Sequence, residues 1–172
     1  MRLWHIELLP YLPDLQFKGQ LREIIAMMRN WKNGDSLGNL LVNLALDYPK
    51  SHLTEYFKMY YAEYERRYNK KIDKKFLEEF IEFADIEFGE DKIFENWHNK
   101  EYLRICMANL YEKYAYAVGK TKLSDDDWNK LIYGYYKITG EKYEIWYTFY
   151  TITWNNIKNF FCFTKVKYRK DN

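Results

Sequence analysis

Between residues 14 and 139 apolar side chains recur mainly three and four positions apart, the period of helices with one buried face. Leu15, Leu21, Ile24, Ile25 and Met28 predict a helix over 15–31, with Asp14 as its cap and Asn33-Gly34-Asp35 as its stop. LGNLLVNLAL predicts a short apolar helix near 37–47. Pro49 suits a first turn, and Leu53, Tyr56, Phe57, Tyr60, Tyr61 and Tyr64 carry a helix over 50–68. Asp73 can cap the next, whose apolar residues are Phe76, Leu77, Phe80, Ile81 and Ala84. Leu103, Cys106, Met107, Leu110, Tyr114 and Val118 predict a helix over 99–118. Ser124 with Asp127 three residues on resembles a capping box, and its helix ends before Gly140.

The two ends lack this period. MRLWHIELLPYLP, residues 1–13, holds two prolines and reads as an extended arm that lays Leu3, Trp4 and Leu8 or Leu9 on a core. YEIWYTFYTITW, within the tail 143–163, has strand-favouring composition in a helical context; helix is the preferred assignment. The expected fold is all-α, a helical bundle of one domain with the N-terminal arm threading towards the first helix. A helical domain over 1–140 and an aromatic, basic extension over 141–172 are expected.

Composition narrows the function classes. Net charge is +2, too balanced for an indiscriminate nucleic-acid coat. The charge is unevenly spread, with nine acidic and five basic residues over 70–96 but five basic and one acidic over 156–172. Aromatic residues make up 20%, eighteen of them tyrosine, which implies core filling, a stacking surface, or both. Cys106 and Cys162 read as buried free thiols in a reducing compartment. No apolar run approaches the ~18 residues of a membrane helix, and a soluble, cytoplasmic monomer is expected. Phosphate-loop, Rossmann, HExxH and CxxC motifs are missing. His5, His52 and His98 lack metal-ligand spacing and read as polar surface or capping residues. No cofactor or metal is expected.

Arg22-Glu23 in GQLREII is, on composition alone, an ordinary solvated pair. Its context changes that. MRLWHIELLPYLP…GQLREI, NLLVNLALDYPKSHLTEYFKMYYAEYERRYNKKI and HNKEYLRICMANLYEKYA, with WNKLIYGYYK more loosely, resemble the pyrimidine dimer DNA glycosylase family, the group of bacteriophage endonuclease V. The resemblance spans about 1–138. It implies a mostly helical fold, DNA carrying a lesion as partner, and base release, with strand cleavage through a Schiff base as a further step. It implies Glu23 as acid/base and electrostatic group and the Met1 amine as nucleophile. Arg2, Arg22, Arg29 and Lys113 become candidate DNA contacts. Trp4, Trp128, Tyr135 and Tyr136 become candidate base-stacking residues, with core packing as the competing role. The chain departs from the phage pattern at Gln16, Ala26 and Asn109, which replace a histidine and two arginines. Arg2 disfavours removal of Met1. Two rival readings stand beside this one: a catalytically silent module that binds nucleic acid or protein, and a glycosidase for nucleotides or a modified base.

Overall fold

The computed structural model describes residues 3–33, 44–45, 47–84 and 93–145. These are all-α, and no strand occurs among the described residues. The helices are α1 (Asp14–Asn33), α2 (Lys50–Tyr68), α3 (Lys74–Phe83), α4 (Lys100–Ala115) and α5 (Asp125–Thr139), with 3-10 turns at Ile6–Tyr11 and Gly119–Thr121. No helix among the described residues is long and apolar enough to cross a membrane. Two compact units result, Met1–Asn99 and Lys100–Asn172. The helix expected near 37–47, Cys162, the assignment for 143–163 and most of the expected C-terminal extension lie outside the described residues.

In the N-terminal unit the arm packs as the sequence implies, with Leu3, Trp4, Leu8, Leu9 and Leu12 buried. Its 3-10 turn escapes a periodicity reading because six residues with Pro10 among them carry no period. α1 begins at Asp14 itself. The Asp14 carboxylate takes Lys18 and the Tyr68 hydroxyl, which hold it below the ordinary carboxylate range. α2 spans the predicted residues and ends on Asn69 in the left-handed conformation, φ 48°. Asp73 caps α3 as expected, accepting from the Lys75 N–H at 2.9 Å. Ring contacts then lock the helices: Phe57 on Phe80 at 3.9 Å and Phe17 on Tyr60 at 4.5 Å.

One buried cation ties the arm to α2. Arg67 donates to Glu63 at 2.5 Å and to the carbonyls of Leu12 and Leu9 at 2.7 and 2.6 Å, and lies over the Phe17 ring. Burial pushes the Glu63 carboxyl up, but Arg66 and Arg67 together outweigh this and hold it below its ordinary range. Every strong polar partner of this buried ion pair is therefore in place.

In the C-terminal unit α4 packs on α5. The capping box at Ser124 and Asp127 is complete, and Gly140, φ 73°, closes α5. Tyr111, Tyr114 and Tyr143 surround Trp128, and Tyr143 also meets Tyr135 edge-on. Lys100 pairs with Glu141 just beyond the helix end.

Candidate functional site

Gln16, Gln20 and Glu23 lie four and three residues apart, so they share one face of α1. That face points inward. Gln16 and Gln20 are buried among Phe17, Ile24, Met27 and Met28, and Glu23 sits at the edge of the same surface. The Gln20 carbonyl accepts from the Trp4 N–H at 2.8 Å, with the Tyr56 hydroxyl 3.2 Å away. The Tyr56 hydroxyl donates in turn to the Trp4 carbonyl at 2.8 Å. Both main-chain groups of Trp4 are thus bound to side chains of α1 and α2.

Glu23 differs from its neighbour. Its Oε2 is buried and has no hydrogen-bond partner among the described residues, and the same holds for Oε1 of Gln16. Folded proteins pair nearly all such atoms, so an exception marks a position that a donor can fill. A carboxylate offers only acceptors and a glutamine oxygen likewise, so the fitting group carries N–H or O–H donors or positive charge. This is the chemistry required beside an amine or a cationic sugar.

Next to Trp4 the chain's histidines do unexpected work. All three are buried, contrary to the surface or capping role that the sequence suggests. The Ile6 N–H donates to His98 Nδ1 at 3.0 Å, and the Phe94 N–H donates to His52 Nδ1 at 2.9 Å. A backbone N–H can only donate, so each Nδ1 is unprotonated and both rings are neutral with hydrogen on Nε2. His5 Nε2 faces the His98 carbonyl at 2.8 Å and must be the donor there. Burial lowers the His5 pKa to about 4, only partly offset by that bond. Burial also lowers that of His98 well below the ordinary range, with His5 adding to it. A cleft of about 540 Å³ opens beside them, lined by His5, Ile6, Glu7, Met59, Ile93, Glu95 and His98. Glu23 does not line it.

The other expected site residues are distributed as follows. Met1 and Arg2 lie outside the described residues. Arg22 is exposed, next to Glu23, with no ion-pair partner among the described residues. Arg29 is exposed but committed to a two-pronged pair with Glu79 at 3.0 and 2.9 Å. Lys113 belongs to the other unit and is half-buried on α4. Trp4, Trp128 and Tyr135 are buried, whereas Tyr136 is 51% exposed, so of the four only Tyr136 offers an open ring. Sequence reasoning missed Gln20, Tyr56 and His98. The signal for Gln20 was its position four before Ile24 and three after Phe17, on the apolar face. No group of three or more His, Cys, Asp or Glu among the described residues is arranged to hold a metal ion.

No curated protein and no solved structure matches the chain. Residues 1–76, which carry the arm, α1, α2 and the start of α3, match the family described as pyrimidine dimer DNA glycosylase.

Proposed function

We propose that the protein is a DNA N-glycosylase that releases a damaged base, a pyrimidine dimer or a related lesion, from duplex DNA. Glu23 acts as the electrostatic and acid/base group, and the Met1 α-amine as the nucleophile. The observation that carries this reading is the buried Glu23 oxygen, without a donor among the described residues, on the helix face to which the arm is pinned at Trp4. Glu23 is three residues beyond Gln20, about 4.5 Å along the helix. Three extended residues span at most about 10 Å, so the chain ahead of Trp4 is long enough to bring an amine on residue 1 to the carboxylate.

The chemistry follows from the charges. An α-amine has an ordinary pKa of about 8, which leaves a useful neutral fraction at pH 7. Its nitrogen attacks C1′ of the deoxyribose, and the bond from C1′ to the base breaks. The base takes the bonding electrons and a proton, and in a dimer it stays joined to the neighbouring pyrimidine. The sugar ring opens to an imine between the terminus and C1′. The Glu23 carboxylate stabilises the positive charge that develops, then accepts a proton from C2′, after which the 3′ phosphate departs. Arg22, exposed and without an ion-pair partner among the described residues, is the better placed phosphate contact; Arg29 would first have to leave Glu79.

Borohydride tests this directly. The protein is incubated with duplexes carrying a dimer or an abasic site. Reduction is expected to trap a covalent adduct that maps to the N-terminal peptide and disappears when the terminus is acetylated. An adduct on a lysine would relocate the nucleophile. Base release without any adduct would leave Glu23 activating water. Neither release nor adduct would make a silent binding module the better account.

A further inference from the structure

Four hydrogen bonds fix three consecutive residues of the arm. Trp4 is held through both its main-chain groups by Gln20 and Tyr56. His5 is held through its ring by the His98 carbonyl, and Ile6 through its N–H by the His98 ring. The turn that carries His98 is itself tied to α2, because His52 accepts the Phe94 N–H. The rings support one another: His98 lies 5.3 Å from His5 in a stack and edge-on to Tyr56 at 5.8 Å.

Burial alone does not call for this arrangement. Leu3, Leu8 and Leu9 are covered by apolar packing, and Arg67 already clamps Leu9 and Leu12. Apolar packing has no direction, so it permits the arm to slide or rotate at little cost. Hydrogen bonds to successive backbone groups do not. Their effect is to fix the register of residues 4–6 against Gln20, Tyr56 and His98, and a neutral imidazole whose Nδ1 accepts from Ile6 supplies the central one.

We infer that His98 is a positioning residue for the reaction: through Ile6 and His5 it sets the register of the arm against the helix that carries Glu23. This rests on the glycosylase reading above. His98 touches no reacting atom. Its contribution lies in orientation, where a displacement of about 1 Å costs on the order of a hundredfold in rate.

The test compares His98→Leu with His98→Asn. Leucine keeps apolar bulk and deletes the acceptor; asparagine returns an oxygen near the place of Nδ1. For each, kcat and KM for glycosidic-bond cleavage in a dimer-containing duplex are measured, with the thermal midpoint and the hydrogen exchange of the Ile6 amide. His98→Leu is expected to lower kcat by about tenfold to a hundredfold with KM little changed, and to expose the Ile6 amide. His98→Asn is expected to recover most of both. Should His98→Leu not fold, Gln20→Met removes the acceptor for Trp4 at similar size, and the same fall in kcat is expected. A folded His98→Leu or Gln20→Met with wild-type kcat overturns the positioning role and leaves the glycosylase reading intact. A wild-type Ile6 amide that exchanges like a free peptide also overturns it. A wild type inert on both dimer and abasic duplexes, with Ile6 protected, overturns the glycosylase reading and the catalytic role of His98 with it.

Discussion

The two units treat polar side chains in opposite ways. In Met1–Asn99 the buried ones reach far along the chain: Gln20 to Trp4, His98 to Ile6, His52 to Phe94 and Arg67 to Leu9 and Leu12. In Lys100–Asn172 the described polar contacts are mostly local, as in Asn109 to Ile105, Thr139 to Tyr135 and the Ser124–Asp127 box. The longer-range ones run from Lys100 and Arg104 to Glu141, whose carboxylate is half exposed. Interior packing there comes from rings around Trp128. Local bonds finish helices. Buried long-range bonds carry a desolvation cost, and they are concentrated where one segment, the arm, is set in a single register. The family match falls on that same part of the chain.

The contrast is broken most severely at Arg67. Arg67→Leu leaves the buried Glu63 with only the exposed Arg66 and strips donors from two arm carbonyls. A loss of about 3–5 kcal/mol is expected in urea unfolding. Hydrogen exchange should place the damage in the arm, α1 and α2, with α5 amides little affected.

Acid should act on the same unit. An unfolded histidine takes up a proton below about pH 6.5, whereas folded His5 does so only near 4. Between those values the unfolded state binds more protons. The stabilisation is therefore complete above about pH 6.5 and is lost as pH falls towards 4, by roughly 3 kcal/mol. His98 acts in the same direction. Glu63 and Glu79, with pKa values lowered from 4.5, lose their contribution only below that value, so the window from pH 6.5 to 4.5 belongs to the histidines. Urea unfolding at pH 7 and pH 4.5 checks this; equal stability at both would contradict neutral, buried rings.

A smaller effect probes the other unit. Ser124→Ala removes one half of the capping box and should cost about 1 kcal/mol. The rate of base release should not change. The smallest effect concerns the surface. Arg22→Ser should reduce the slope of log affinity against log salt by about 0.9, as expected for one lost phosphate contact. Arg29→Ser should change it less, because Glu79 already occupies that guanidinium.

Much of the fold was legible because helices announce themselves by period and caps. α2 runs over the predicted residues, Asp73 caps α3, and Ser124 with Asp127 opens α5. The stripe on α1 was less so. Leu15 is 48% exposed while Gln16 and Gln20 are buried, since the inward face is turned towards polar residues that a hydrophobicity pattern discounts. α4 stops at Ala115, which leaves Val118 exposed although it fits the period. The candidate site followed the same logic. Glu23 was found through resemblance, because a lone Arg-Glu pair carries no signal. Its supports could not be found, because Gln20, Tyr56 and His98 are 36 and 42 residues apart in sequence and meet only in the fold. Trp128 and Tyr135 illustrate the reverse: aromatic spacing suits core and stacking equally, and burial puts both inside.

In the reaction proposed above the Glu23 carboxylate, and not merely the arm around it, performs the chemistry. The direct measurement is the single-turnover rate of glycosidic-bond cleavage in a dimer-containing duplex by Glu23→Gln, alongside its thermal midpoint. Glutamine keeps the volume and deletes the charge. A rate lower by about 10²–10³ at an unchanged midpoint is predicted. A variant that folds as well and cleaves that bond at the wild-type rate would make the carboxylate a bystander.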